Sequence, residues 1–433
     1  MSADSHRPID GPAPRLSRRW HWASTQKISF LMQQGVENPD VISLAAGLVD
    51  QDSLPIETTR AAVAYLLGDE QRARAALQYG TTPGSESLRQ SLRKHLARLE
   101  DRPVEELGVD ADRFVLTTGS QQLLSLVGEI LLDPEDICLV AAPTYFVFLG
   151  TLNGLGARMI SVATDDDGMC PRALETTLAR LEMAGELDRV KLVYLVSYYE
   201  NPSGTSLSAE RRGQMIEIVR RWSAKQRFYI LEDAAYRELR YDGPCLPSLW
   251  GLDETRESVI LAQTFSKSYS PGLRVGYGVL PRELVSPICD RKGNEDFGSA
   301  HFNQQLLAAV LDQGLYEPHV ETVRMSYRRK RDAMLAAAER YFTNIPGTSW
   351  VHPHGGLYVW MTLPETIDTG FDGRLFRQAV GVQKVMYVPG ELFYAGDVTP
   401  RPNHQMRLSF GVQTPEGIDR GMSRLAAAVR TVL

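Results

Sequence analysis

The sequence predicts an α/β protein built on a mostly parallel sheet with helices on both faces. Short apolar runs of strand length recur along the chain, and segments of helical period separate them. This alternation is typical of parallel sheets covered by helices. The chain has 433 residues, of which 43% are hydrophobic, which suggests two domains or one large one.

Composition and charge limit the classes of function. The net charge of −6 argues against nucleic acid as the main partner. The four cysteines are scattered without metal-type spacing, so we expect reduced thiols in a cytoplasmic protein and no metal site. Residues 1–19 lack an apolar segment and are interpreted as a flexible arm, and no apolar run is long enough to span a membrane.

The first hundred residues predict three helices and one extended segment. A helix is predicted from Trp20 to Met32, and two more over 57–68 and 86–99. The run from Val41 to Asp50 predicts an extended segment with a close backbone approach at Gly47. Between the second and third helices lies a turn rich in glycine and threonine.

The middle of the chain predicts five buried strands. They cover residues 114–118, 136–140, 190–196, 228–233 and 258–262. Gly119 ends the first of them and opens a helix, so its backbone N–H groups can face an anion, although such turns are common in α/β proteins. Asp233 ends the fourth strand, and open α/β sheets place ligands at the carboxyl ends of strands.

The stretch that follows the fifth strand carries the most distinctive chemistry. Small hydroxyl residues surround Lys267, and a Pro-Gly turn brings Arg274 round seven positions later. We expect the charge of Arg274 to disfavour the ammonium form of Lys267 and leave a nucleophilic amine. Thr264 and Arg274 offer a hydroxyl and a guanidinium to one phosphate. The pattern suits an aldehyde cofactor with a phosphate tail, and the plainer alternative is an exposed lysine on a loop.

The last third of the chain predicts long helices and a second set of strands. Helical periodicity runs over 302–340 with a break near Gly314, and strands are predicted over 355–360, 385–390 and 405–410. Arg407 lies inside the last of these apolar strands. A buried arginine is costly without an anionic partner, so this position predicts an anion site.

In family order these segments resemble the motifs of fold type I (class I/II) aminotransferases, which use pyridoxal phosphate. The resemblance is nearest to the branch of 2-aminoadipate and kynurenine aminotransferases, and it covers nearly all of residues 25–430. Ser266-Lys267 followed by Pro271-Gly272-Leu273-Arg274 is similar to the Schiff-base lysine motif of that family. The resemblance implies pyridoxal 5′-phosphate as cofactor and ping-pong transfer of an amino group between an L-amino acid and a 2-oxo acid.

The resemblance also implies the site residues and the assembly. At the cofactor ring it implies Lys267 as the Schiff-base amine and proton carrier, Asp233 on the ring nitrogen, Tyr236 and Asn201 on the phenolic oxygen, and Tyr145 stacked on the ring. The phosphate is expected among Gly119, Ser120, Gln121, Thr264 and Arg274, and the substrate among Gly47, Asn201 and Arg407. Tyr79 is expected at the phosphate in the partner subunit of a homodimer with shared active sites. Taken singly, several of these positions fit ordinary turns or core packing. Ala46 and Val49 replace the family's usual Gly and Pro, and Ala234-Ala235 replaces a common Asp-Pro.

The resemblance further implies a domain division, and two alternatives stay open. A large cofactor-binding domain is expected over 57–310, with a smaller α+β domain from 20–56 and 311–433. One alternative is an oxidase, decarboxylase or lyase on the same fold, against which Arg407 favours transamination because decarboxylation needs a carboxylate free to leave. The other is an effector-sensing domain of a helix-turn-helix regulator, for which we expect no room ahead of residue 40.

Overall fold

The computed structural model describes residues 15–23 and 40–433. The predicted arm and the predicted helix from Trp20 to Met32 lie largely outside these residues, and within them Arg18–Ala23 is helical. Among the described residues no helix is both long and apolar enough to cross a membrane.

The described residues alternate helices with strands as the sequence predicts. The α-helices are α1 (Arg18–Ala23), α2 (Ile56–Leu67), α3 (Glu70–Leu77), α4 (Glu86–Leu99), α5 (Ser120–Leu131), α6 (Phe146–Leu155), α7 (Pro171–Met183), α8 (Ala209–Ser223), α9 (Leu249–Leu252), α10 (Arg282–Asp296), α11 (His301–Asp312), α12 (Tyr316–Phe342), α13 (Arg374–Arg377) and α14 (Pro415–Val432). The strands are β1 (Ile42–Ser43), β2 (Phe114–Thr117), β3 (Ile137–Ala142), β4 (Arg158–Asp165), β5 (Gly168–Met169), β6 (Val190–Val196), β7 (Tyr229–Asp233), β8 (Val259–Thr264), β9 (Gly276–Val279), β10 (Ser349–Trp350), β11 (Tyr358–Thr362), β12 (Val385–Met386), β13 (Val388–Pro389) and β14 (Gln405–Ser409).

The predicted α/β fold is confirmed by the largest sheet of the described residues. Its strand order is β2-β9-β8-β7-β6-β3-β4-β5. The pairs β4–β3, β3–β6, β6–β7 and β7–β8 are parallel, while β9 runs antiparallel to both β2 and β8. The carboxyl ends of β2, β3, β6, β7 and β8 therefore lie along one edge, where α/β sheets place their ligands.

A second sheet holds the predicted arginine strand. Its order is β10-β11-β14-β13, all antiparallel, and Trp360 on β11 pairs with Arg407 on β14. The predicted strand over 385–390 is two short strands, since β12 pairs in parallel with β1 and β13 pairs with β14. The chain thus leaves one sheet and enters another at Tyr387. The division at residues 57 and 310 stays a prediction.

Local sequence explains where the helices begin and end. At the start of α4 the Ser85 hydroxyl accepts a hydrogen bond from the amide of Leu88. On the buried face of this helix, Leu88, Leu92 and Leu96 recur every fourth residue. The predicted break near Gly314 is confirmed, because this glycine adopts a φ of +65° between α11 and α12. Gly355 and Gly356 precede β11 rather than joining it, because Gly355 bridges to Arg240 and the Gly356 amide donates to the Leu239 carbonyl at 2.9 Å.

Candidate active site

Lys267 lies in the turn after β8, at the ligand edge of the large sheet. Its Nζ atom donates a hydrogen bond to the carbonyl oxygen of Gly47 at 2.9 Å, and the side chain is half-buried. Burial lowers the pKa of the Lys267 amine, and the charges of Arg407 and Arg274 lower it further. The sequence prediction attributed the low pKa to Arg274. The charge of Arg274 does lower the pKa, but burial has the larger effect. The structure brings Gly47 and Lys267 together, as the prediction requires.

An open cradle for an anion forms between the start of α5 and the turn before β9. Gly119 has a φ of +73°, and a Cβ at this position would lie 2.7 Å from Nη2 of Arg274. The Arg274 guanidinium also lies 3.3 Å from the hydroxyl of Ser266, which in turn is 3.0 Å from that of Thr264. Guanidinium, hydroxyls and the first N–H groups of α5 therefore converge as a dianionic phosphate requires.

The other two residues of the phosphate prediction lie in the first turn of α5. Ser120 begins the helix, and Gln121 follows it. The Gln121 amide nitrogen donates to Thr151 at 3.2 Å, while its buried amide oxygen has no hydrogen-bond partner among the described residues. Both are thus next to the cradle, and Gln121 retains one unused acceptor.

Asp233 is a buried carboxylate at the end of β7 with no ion-pair partner among the described residues. It accepts hydrogen bonds from the Tyr194 hydroxyl at 3.2 Å and from the Ala235 amide at 3.1 Å. Burial raises the pKa of Asp233 to about 6 despite these bonds. A cationic group beside it would relieve this cost, so the position fits a protonated ring nitrogen.

Three further predicted residues interact with Asp233 or with other members of the predicted site. Tyr145 precedes α6, and its pKa is raised by burial and then by the nearby charge of Asp233. Tyr236 is buried, with its hydroxyl 3.3 Å from that of Tyr358. Asn201 is buried too, and its amide oxygen accepts a hydrogen bond from Arg407. The aromatic and amide groups therefore meet at the same edge as Lys267.

Arg407 is a buried guanidinium without a carboxylate partner among the described residues. Its Nη1 donates to the Asn201 amide at 2.8 Å, its Nη2 donates to the Ala45 carbonyl at 2.8 Å, and its Nε has no partner. The rings of Tyr358 and Phe393 flank it, with centroids 4.3 and 5.3 Å from the guanidinium carbon. A buried cation with an unused donor is a site for an anionic ligand.

Tyr79 is the predicted residue that the structure leaves apart from the others. Its side chain is 82% exposed on the turn after α3 and contacts the ring of Phe297 edge-on at 5.8 Å. Among the described contacts, none joins Tyr79 to Lys267 or Arg274 in the same chain.

The sequence argument also missed a member of this cluster. Tyr358 lies in a strand that the sequence predicts, but only the pairing of β11 with β14 brings its ring over Arg407. No local pattern of the sequence signals this contact.

Comparisons with known proteins agree over most of the chain. The family model of aminotransferase class I and II matches residues 39–425. Aromatic-amino-acid aminotransferase 1 of Thermococcus litoralis is 34% identical over 91% of this chain and 89% of its own, and 2-aminoadipate transaminase of Thermus thermophilus is 33% identical over 92% of each. The solved structure of Pyrococcus horikoshii kynurenine aminotransferase, in complex with PMP, is 34% identical with a TM-score of 0.87, covering 96% of this chain and 97% of that one.

Proposed function

Because the chain belongs to the class I and II aminotransferases, we propose that the cluster around Lys267, Asp233 and Arg407 is its active site. The protein is an enzyme that moves amino groups between amino acids and 2-oxo acids with pyridoxal phosphate as cofactor. The observation that carries the site is the buried Arg407 with an unused Nε, since it offers an anion site near the amine of Lys267.

The residues fit the cofactor from one end to the other. When bound, pyridoxal phosphate supplies an aldehyde that receives the amino group and a ring that draws electrons from the substrate α-carbon. Arg274, Thr264, Ser120 and the N–H groups at the start of α5 hold the phosphate. Gly119 is required there, because a side chain would fill the space in front of Arg274.

Buried polar and aromatic groups would hold the ring end of the cofactor. Asp233 would pair with the protonated ring nitrogen, and this pairing would reverse the rise in pKa that burial causes. Tyr145 lies against the ring face, while Tyr236 and Asn201 offer polar groups to the phenolic oxygen. Lys267 would hold the aldehyde end of the cofactor through its amine.

Lys267 and Arg407 divide the work on the substrate. Arg407 binds the α-carboxylate and keeps it from leaving, which supports transamination over decarboxylation. Burial favours the neutral amine of Lys267. Its Nζ would therefore take the proton from the substrate α-carbon and deliver it to the former aldehyde carbon of the cofactor. The comparisons favour aminotransferases over the oxidase, decarboxylase and lyase alternatives.

We further propose a cytoplasmic homodimer with shared active sites. Two apolar side chains beside Tyr79 are exposed in the single chain, Leu77 at 70% and Phe297 at 65%. A second copy that covers this face would remove apolar area from water, and the free tip of Tyr79 could then reach the partner's phosphate cradle. The four cysteines are all free thiols, which supports a reducing compartment.

The assignment is tested by trapping the cofactor on its lysine. Protein loaded with pyridoxal phosphate is reduced with borohydride, digested and analysed by mass spectrometry. We expect the adduct on the peptide that contains Lys267, and we expect Lys267→Ala to lose it. The relatives' names then give the first amino donors to screen, namely aromatic amino acids, kynurenine and 2-aminoadipate. An adduct on another lysine, or none, would overturn the assigned site.

A further inference from the structure

Tyr358 lies outside the predicted set of site residues, yet it contacts two members of the proposed site. It begins β11 and is 2% exposed. Its hydroxyl lies 3.3 Å from the hydroxyl of Tyr236, and its ring centroid lies 4.3 Å from the guanidinium carbon of Arg407. A Cβ built on Gly47 would come within 3.0 Å of the same hydroxyl. One side chain therefore joins the tyrosine, the arginine and the loop that accepts the Lys267 hydrogen bond.

The groups that face Tyr358 come from several elements and include the guanidinium of Arg407 and the amine of Lys267. They are Arg407 from β14, Lys267 from the turn after β8, Tyr236 from the segment after β7, Tyr145 from the turn before α6 and Tyr327 from α12. Among the described residues no carboxylate bonds to the Tyr358 hydroxyl, and the only hydroxyl that does is that of Tyr236. The electrostatic surroundings are therefore positive and contain one hydrogen-bond donor.

These surroundings decide which of the two tyrosines ionises first. Burial by itself raises the pKa of Tyr358, but the charges of Arg407 and Lys267 and the bond from Tyr236 outweigh it, and the pKa lies below the usual value. Burial and the neighbouring Tyr358 instead raise the pKa of Tyr236. When Tyr358 is ionised, Tyr236 must donate its proton to Tyr358. When Tyr358 is neutral, it can donate to Tyr236, whose own proton is then free for a ligand.

We propose that Tyr358 is a positioning residue that couples the carboxylate site at Arg407 to the direction of the Tyr236 hydroxyl. A carboxylate at Arg407 cancels part of the positive potential at Tyr358. The neutral form of Tyr358 is then favoured, its hydroxyl donates to Tyr236, and Tyr236 turns its own proton toward its ligand. The inference rests on the proposed function, which assigns the substrate carboxylate to Arg407 and the cofactor oxygen to Tyr236.

The first test counts protons when a carboxylate binds. Phenylacetate, which has no amino group to react, is titrated calorimetrically into cofactor-free and cofactor-loaded protein, in buffers of different ionisation enthalpy. The range from about pH 7 to about pH 10 covers the ordinary tyrosine value. We expect wild type to take up a larger fraction of a proton per phenylacetate than Tyr358→Phe, which keeps the ring against Arg407. Lys267 also takes up protons and Tyr358 raises its pKa, so the comparison is repeated in cofactor-free protein between Lys267→Ala and Lys267→Ala/Tyr358→Phe, in which Lys267 cannot contribute. Equal uptake by the two proteins would overturn the proposal.

A second measurement decides even where phenylacetate binds too weakly to titrate. Ultraviolet absorbance follows tyrosinate formation in the cofactor-free protein, and the difference between wild type and Tyr358→Phe isolates one tyrosine. We expect it to titrate below about 10, the value of a free tyrosine. The matched control is Tyr387→Phe, which removes another buried hydroxyl, bonded to the Thr369 carbonyl at 2.9 Å, and should behave like wild type in the phenylacetate titrations. A difference spectrum that titrates at or above the ordinary value contradicts the proposal.

The two kinds of failure are distinguishable. If borohydride leaves no adduct on Lys267, the proposed site is wrong whatever the tyrosines do. If the adduct forms while Tyr358→Phe changes neither proton uptake nor tyrosinate formation, only the role of Tyr358 is wrong.

Discussion

Asp233 is expected to destabilise the fold until the cofactor is bound. Its pKa rises from 3.8 to about 6 because the carboxylate is buried without a cation. Two units of pKa correspond to about 3 kcal/mol between the charged and neutral forms. The folded state holds the proton more tightly than the unfolded state, so this cost is absent below about pH 4 and fully present above about pH 6.

Asp233→Asn removes the charge and keeps the shape. The variant retains an acceptor for the Ala235 amide but can lose the bond from Tyr194, which costs about 1 kcal/mol. We therefore expect cofactor-free Asp233→Asn to be more stable than wild type at neutral pH by about 2 kcal/mol, with the gain falling to zero between about pH 4 and pH 5 and becoming a loss of about 1 kcal/mol at lower pH. The same change should lower turnover by orders of magnitude, because the ring nitrogen loses its charged partner.

The assay is thermal unfolding of both cofactor-free proteins across this pH range, followed by the same scan with pyridoxal phosphate. Addition of the cofactor should raise the midpoint of wild type more than that of Asp233→Asn. Tyr194→Phe is the control, since it removes the hydroxyl donor and leaves the carboxylate. A variant less stable than wild type at neutral pH, with an unchanged pH dependence, would refute the reasoning.

Two further predictions concern the phosphate cradle and the shared site. Gly119→Ala should weaken pyridoxal phosphate binding about 10- to 100-fold by displacing Arg274, whereas Gly213→Ala, whose Cβ meets nothing within 4 Å, should leave binding unchanged in a fluorescence titration. Tyr79→Ala and Lys267→Ala, each inactive alone, should recover about a quarter of wild-type activity when unfolded and refolded together, because half of the dimers are mixed and each carries one intact site. Equal affinities of Gly119→Ala and wild type for pyridoxal phosphate would contradict the first prediction. A mixture that stays inactive although mixed dimers form would contradict the second.

The features that the sequence predicted are those with a local signal. Alternating apolar runs give the parallel strands, and Gly314 marks the break between two helices because few other residues adopt its positive φ. Arg407 stood out because a charge inside an apolar strand needs an anion. Asp233 stood out because its strand ends at the ligand edge.

The features that escaped prediction depend on residues far apart in the chain. Lys267 and Gly47 are 220 positions apart, so only the family resemblance placed both at the site, and no periodicity predicts the hydrogen bond between them. In the sequence, Tyr358 is an ordinary residue of an apolar strand. Its contact with the site arises only from the pairing of β11 with β14. The pKa of Lys267 was attributed to a neighbour in sequence, whereas burial by the whole surrounding fold lowers it most.

The short segment from Ala45 to Gly47 has a consequence for turnover. Its two outer carbonyl oxygens already accept hydrogen bonds from Nη2 of Arg407 and Nζ of Lys267 before any ligand arrives, while Nε of Arg407 has no partner among the described residues. An incoming anion therefore replaces hydrogen bonds that already exist. Such a replacement contributes little net free energy to binding. Release of the anion likewise costs little free energy, because the two backbone carbonyls can accept hydrogen bonds from Arg407 and Lys267 again. A catalyst that discharges a different product in each half of its cycle works fastest when neither product is held tightly.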